Sequence, residues 1–203
     1  MLKFDDTGLI PAIVQHARSG EVLMLGYMNE AALTHTQETG LVTFWSRSRQ
    51  ELWQKGATSG NVLRLIEIRQ DCDGDALLVL AEPAGPTCHT GSPTCFFHTL
   101  HGDDATTKPE SAVLTHLTDL IEQRKRDQTE GSYTVKLLNG GPERIGKKVG
   151  EEATEVVIGA MKGDQTELAY ETADLFYHTL VLLAQQGVPP EQVWRELARR
   201  YHQ

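Results

Sequence analysis

Short apolar runs mark the first hundred residues, and apolar positions three or four apart mark the rest. Residues 22–27, 41–45, 62–68 and 76–80 are rich in Leu, Val, Ile and aromatic side chains, with Gly, Asp and Asn in the gaps. That pattern predicts strands. Residues 29–39 predict a short helix, which Asn29 can cap and Gly40 can end. The polar, breaker-rich stretch 101–109 predicts a linker. Beyond it Leu114, Leu117, Leu120 and Ile121 form an apolar stripe behind a candidate cap at Ser111. Residues 145–161 and 168–184 continue at helical period, with Lys162-Gly163-Asp164 as the break between them. Pro190 suits the first turn of a last helix carrying Val193, Trp194 and Leu197. The expected fold class is an α+β, β-rich domain over residues 1–110, followed by an all-α helical-bundle domain over 111–203. No internal repeat or low-complexity tract interrupts this division.

The chain has 203 residues, 39% hydrophobic and 23% charged, so ordinary globular packing is expected. Its net charge of −9 argues against nonspecific nucleic-acid binding or attachment to an anionic membrane. A local basic pocket for a small phosphorylated substrate remains compatible with it. The apolar runs are far shorter than a membrane span. The opening residues Met1 to Asp6 lack the pattern of a signal peptide, and three cysteines cannot all pair. A cytoplasmic location with reduced thiols is therefore expected.

Candidate chemistry concentrates where soft and hard ligands interleave. Asp71-Cys72-Asp73-Gly74-Asp75 is followed by Cys88-His89 and Cys95. Thiolates suit zinc and carboxylates suit magnesium, which suggests two ions of different character. If residues 71–75 are extended, the three aspartates share one side and Cys72 faces the other. Cys88 and Cys95 close a loop rich in turn formers and can fold back on a common centre. Three thiolates leave a tetrahedral zinc with one open position, the arrangement of a catalytic site. Small buried hydrophobes are the alternative for the cysteines. A calcium loop fits poorly, because Ala76 stands where that loop needs Gly. The elements of a zinc deaminase are missing.

A second candidate segment joins Ser46-Arg47-Ser48-Arg49 to residues 53–61, where Lys55, Ser59 and Gly60 offer donors and close backbone approach to an anion. A glycine-rich hairpin with exposed basic residues fits the same segment. In the second half, Glu152 with Glu155, and Glu171 with Asp174, lie three apart on predicted helices, and Glu151 adjoins them. Packed antiparallel, such helices hold divalent metals between carboxylates, and an all-oxygen set favours magnesium with a phosphate chain. Solvated helix faces balanced by Lys147 and Lys148 are the alternative. His178 extends the Glu171–Asp174 stripe by one turn.

In order along the chain, the segments 8–15, 25–29, 44–49, 52–61, 70–78 and 88–97, then 131–138, 147–158 and 167–178, carry a family resemblance. They resemble the bifunctional histidine-biosynthesis enzymes that join phosphoribosyl-AMP cyclohydrolase to phosphoribosyl-ATP pyrophosphohydrolase. The resemblance implies a homodimer, with zinc on Cys72, Cys88 and Cys95 drawn from both subunits and magnesium at Asp71, Asp73 and Asp75. It implies opening of the adenine ring between N1 and C6 by a zinc-activated water, with His89 as the candidate for proton transfer. Arg47, Arg49, Lys55, Ser59 and Gly60 would hold substrate phosphate or ribose. The second half is similar to all-helical MazG-like pyrophosphohydrolases, which implies magnesium on Glu152, Glu155, Glu171 and Asp174. Lys136, Lys147 and Lys148 would then neutralise phosphate oxygens. The substrates implied are phosphoribosyl-ATP for the second half and its product, phosphoribosyl-AMP, for the first.

A nucleotide-binding regulatory protein with a structural zinc is the competing class. It requires a fourth zinc ligand, for which His89 is the candidate, and ligand binding without turnover. An enzyme with one active half and one scaffold half would need degraded motifs in one of them, and both sets are intact.

Overall fold

The computed structural model describes residues 2–101 and 112–201. The expected Ser111 cap and most of the expected linker lie outside them. The chain divides into two compact units, Met1–Val113 and Leu114–Gln203. As expected, the first is α+β and the second all-helical.

In the first unit a four-stranded sheet runs in the order β2-β1-β6-β5. Its strands are β1 (Ile10–His16), β2 (Val22–Met28), β5 (Leu63–Gln70) and β6 (Leu77–Pro83). β1 and β6 are parallel, while β1–β2 and β5–β6 are antiparallel. Alternation is clean in the central pair. Ile10, Ala12 and Val14 of β1 and Leu77, Val79 and Ala81 of β6 are buried, and the residues between them are more exposed. β3 (Thr43–Ser46) and β4 (Glu51–Gln54) form a separate hairpin. Phe44 of β3 is fully buried in the same core. Its ring lies so close to Gly26 of β2 that a Cβ there would stand 2.4 Å from Phe44 Cδ1.

α1 (Glu30–Thr39) starts and stops as its sequence dictates. The Asn29 side chain accepts from Ala32 N, and Gly40 closes the helix at φ 68°. The expectations omitted β1, whose alternation is masked by Pro11, and the short β4. In the second unit α2 (Val113–Asp127), α4 (Gly141–Lys162), α5 (Gln165–Gln186) and α6 (Pro190–Tyr201) match the helical periods. α3 (Tyr133–Asn139), capped by Ser132, was not anticipated because seven residues carry too little periodicity. Ile121, Leu137, Leu138, Ile145, Leu180, Val181 and Ala184 form this unit's core. Asp164 caps α5 by accepting from the N–H groups of Thr166 and Glu167. Among the described residues no helix is long and apolar enough to cross a membrane.

Candidate active sites

Two loops of the first unit wall a cavity of about 390 Å³. One runs from β4 to β5 and contributes Lys55 and Ser59; the other follows β6 and contributes Thr87, Cys88, His89 and Cys95. The first loop turns at Gly56, where φ is +83° and a Cβ would lie 2.3 Å from Asn61 C and O. Lys55 is largely buried, its N–H donating to Val42 O at 3.1 Å and its Nζ reaching Asn61 O at 3.5 Å. The second loop is fastened to β2: Cys95 N donates to Leu23 O at 2.8 Å and Thr94 Oγ1 to Val22 O at 2.7 Å. Cys88 N donates to Ser92 O at 3.0 Å, which folds the loop back so that both thiols face the same cavity. The Thr90 hydroxyl donates to Cys88 Sγ at 3.2 Å and is the main reason that thiol is held below the ordinary cysteine value. Burial, and then the neighbouring Cys88, push the Cys95 thiol up.

Gly56→Ala should destabilise this unit by about 2 kcal/mol, because a positive φ strains an L residue and the loop backbone blocks the methyl. A denaturant midpoint equal to wild type would show that the loop relaxes instead.

The aspartates meet, but not by strand alternation. β5 ends at Gln70, and residues 71–75 form a turn with Gly74 at φ +80°. Asp71 Oδ1 accepts from the N–H groups of Gly74, Asp75 and Ala76 at 2.9, 3.0 and 3.2 Å. The extended conformation expected here loses to this side-chain-to-backbone turn, which satisfies three donors at once. Carboxylate oxygens of Asp71, Asp73 and Asp75 lie within 4.8 Å of one another. Burial raises the Asp71 carboxyl, but the Ala76 N–H, the Asp73 and Asp75 side chains and the Gly74 N–H outweigh it and hold it low. The Asp75 carboxyl is pushed up by its hydrogen bond with Asp71 and by the charges of Asp73 and Asp71. Crowded, exposed oxygens of this kind fit a hard cation. Cys72 is exposed on the same turn, and among the described residues the three cysteines do not gather into one ligand group within a chain.

The remaining expected substrate contacts divide. Arg47 stacks its guanidinium 4.0 Å over the Tyr27 ring, in a groove that shares Met24 and Trp53 with the cavity. Arg49 is exposed and pairs with Glu51 at 3.3 Å. Gly60, at φ +77°, shapes the turn next to Ser59 without lining the cavity.

In the second unit α4 and α5 bring Glu152, Glu155 and Glu171 together, with carboxylate oxygens within 4.8 Å of one another. Asp174 lies one turn beyond Glu171 and adds to its field. Burial first, then the hydrogen bond with Glu152 and the charges of Glu155, Glu152 and Asp174, push the Glu171 carboxyl up. A divalent cation would relieve that crowding, so the residues fit one. Lys148 reaches Glu151 at 2.9 Å and Glu152 at 3.2 Å, and Lys147 reaches Glu151 at 3.6 Å. Glu151 therefore belongs to an ion-paired surface beside the cluster. Lys136 lies apart, in a groove of about 440 Å³ that also holds Arg144.

Comparison with known proteins follows the same division. A family model described as phosphoribosyl-AMP cyclohydrolase matches residues 24–97, and one described as phosphoribosyl-ATP pyrophosphohydrolase matches residues 114–201. The histidine biosynthesis bifunctional protein HisIE of Halalkalibacterium halodurans is 50% identical over 201 residues, covering 98% of this chain and 95% of that protein. The chain belongs to the HisIE family. The HisIE protein of Escherichia coli K12 is 50% identical over 194 residues, 96% of this chain and 92% of its own length. That of Bacillus subtilis 168 is 49% identical over 200 residues, 98% and 95% respectively. The family is that of hydrolases with two activities, and this chain carries both domains in the family's order.

Sequence reasoning missed three side chains at these sites. Thr87 is 1% exposed on the cavity wall, with no hydrogen-bond partner for Oγ1 among the described residues. Tyr27 underlies Arg47, and Tyr133 reaches His178. Tyr27 and Tyr133 lay in segments already singled out, but nothing in their spacing points to Arg47 or to His178.

Proposed function

We propose that the first unit opens the adenine ring of phosphoribosyl-AMP between N1 and C6 in the cavity of Lys55, Ser59, Cys88, His89 and Cys95. The observation that carries this reading is that two separate loops bring both thiols, an imidazole and a buried lysine to one cavity. Zinc on the thiolates, when bound, would supply an acidified water. Lys55 and Ser59 bind the phosphate or ribose, joined by Arg47 from the adjoining groove. His89 has one ring nitrogen, Nδ1, 3.8 Å from Cys88 Sγ, which leaves Nε2 to accept and return a proton at the reacting ring. The turn of Asp71, Asp73 and Asp75 holds magnesium.

The second unit hydrolyses phosphoribosyl-ATP to phosphoribosyl-AMP and pyrophosphate, with magnesium on Glu152, Glu155, Glu171 and Asp174. Magnesium there, when bound, would neutralise polyphosphate oxygens. Lys136 with Arg144 holds a further phosphate, and Lys148 orients Glu152. The protein works in the cytoplasm.

The thiolate set is completed in a homodimer, Cys72 of one copy joining Cys88 and Cys95 of the other. This accounts for Cys72 standing exposed and apart in a single chain. Co-expression of Cys72→Ala chains with Cys88→Ala chains tests it. Each variant alone should be inactive in ring opening. The mixture should recover about one quarter of wild-type activity, since half of the dimers are mixed and each mixed dimer keeps one whole site. No recovery in dimers shown to be mixed would defeat the shared site.

A further inference from the structure

We infer that His178, together with Tyr133, positions Glu152 for cation binding in the second unit. The inference rests on the reading of Glu152, Glu155 and Glu171 as the cation site. His178 is 4% exposed, as is Glu152, so both are held in a space where neither can rely on water. His178 Nδ1 stands 2.9 Å from the Asp174 carbonyl and 3.6 Å from Glu152 Oε1. A carbonyl only accepts, so in the neutral ring Nδ1 carries the proton and Nε2 is the acceptor. The Tyr133 hydroxyl, 3.3 Å from Nε2, then donates to it. The ring is thereby fixed in one tautomer, with its N–H donated to Asp174 O and Nδ1 held 3.6 Å from Glu152 Oε1.

Lys148 Nζ reaches that same Oε1 at 3.2 Å. Both neighbours therefore approach one oxygen of Glu152 and leave Oε2 outside these contacts, on the carboxylate that meets Glu155 and Glu171. Aromatic packing holds the arm in place: Tyr133 and Tyr177 stack at 6.3 Å, and each presents an edge contact to His178, at 6.1 and 5.1 Å. Thr134 Oγ1 and Tyr177 OH lie 2.8 Å apart and tie the start of α3 to α5. Groups that orient a metal-binding carboxylate from behind act on affinity without touching the ion.

The test is a titration of the full chain with Mn2+, followed by electron paramagnetic resonance, beside thermal melting of each variant. Glu152→Gln identifies which bound Mn2+ belongs to this cluster. His178→Ala should weaken that class about 10- to 100-fold, the usual effect of removing such a partner, and spare the Mn2+ of the aspartate turn. His178→Asn, which returns an N–H near the place of Nδ1, should recover most of the affinity. Tyr133→Phe, which keeps the ring packing and removes only the hydroxyl, should give a smaller loss. Wild-type affinity in His178→Ala would overturn the role. So would equal losses in the Ala and Asn variants that simply follow their melting temperatures. If Glu152→Gln itself removes no Mn2+, the carboxylate reading fails, and the positioning role falls with it.

Discussion

Cys88→Ser should lower ring opening of phosphoribosyl-AMP roughly a thousandfold, the consequence of losing about 4 kcal/mol of metal-derived stabilisation. Pyrophosphate release from phosphoribosyl-ATP should continue at the wild-type rate. The substitution keeps size and hydrogen-bonding shape at a buried position, so it tests the sulfur and not the packing. Serine cannot ionise near neutral pH, whereas the Cys88 thiol is drawn toward ionisation by the Thr90 hydroxyl. Zinc bound per chain, measured on metal-replete protein, should fall with the activity. Ring opening within about tenfold of wild type with full zinc would mean that Cys88 is a cavity wall and no ligand.

That result bears on how much of the first site was legible in the sequence. The grouping of Cys88, His89 and Cys95 at one cavity could be read from spacing alone, because a loop rich in turn formers brings its ends together. The conformation of residues 71–75 could not. Strand alternation and a side-chain-nucleated turn both bring aspartates together, and only the three N–H groups accepted by Asp71 Oδ1 decide between them. Arg47 and Arg49 look equivalent in Ser-Arg-Ser-Arg, yet Tyr27 takes up one and Glu51 the other. Neither partner lies where periodicity would place it. In the second unit the helical periods predicted α4 and α5; of the four carboxylates expected to converge if these packed antiparallel, Glu152, Glu155 and Glu171 do so within 4.8 Å, and Asp174 is not in that group. The part of His178 needed coordinates, because its two decisive neighbours, Glu152 and Tyr133, come from other helices.

Glu152→Gln should lower pyrophosphate release roughly a thousandfold, again from several kcal/mol of lost metal-derived stabilisation, and leave supplied phosphoribosyl-AMP opened normally. The amide fills the same buried space and still accepts from Lys148, so the helix pair should stay folded. What changes is charge. The Glu171 carboxyl is raised by burial and by its carboxylate neighbours, Glu152 among them. A carboxyl with a folded value above its unfolded one opposes folding at neutral pH, and that opposition fades only as pH falls toward 4.5 and below. Removing the Glu152 charge therefore relieves the metal-free protein while it takes away a ligand. Mg2+ should raise the melting temperature of the helical unit in the wild type, since it binds only the folded cluster, and should do so far less in the variant. The variant without Mg2+ should melt at or above the wild-type temperature. Were it to melt well below, the Lys148 and His178 contacts to Glu152 would outweigh the crowding, and the cluster would be a structural ion-pair network instead of a cation site. Retained pyrophosphate release would lead to the same conclusion from the side of chemistry.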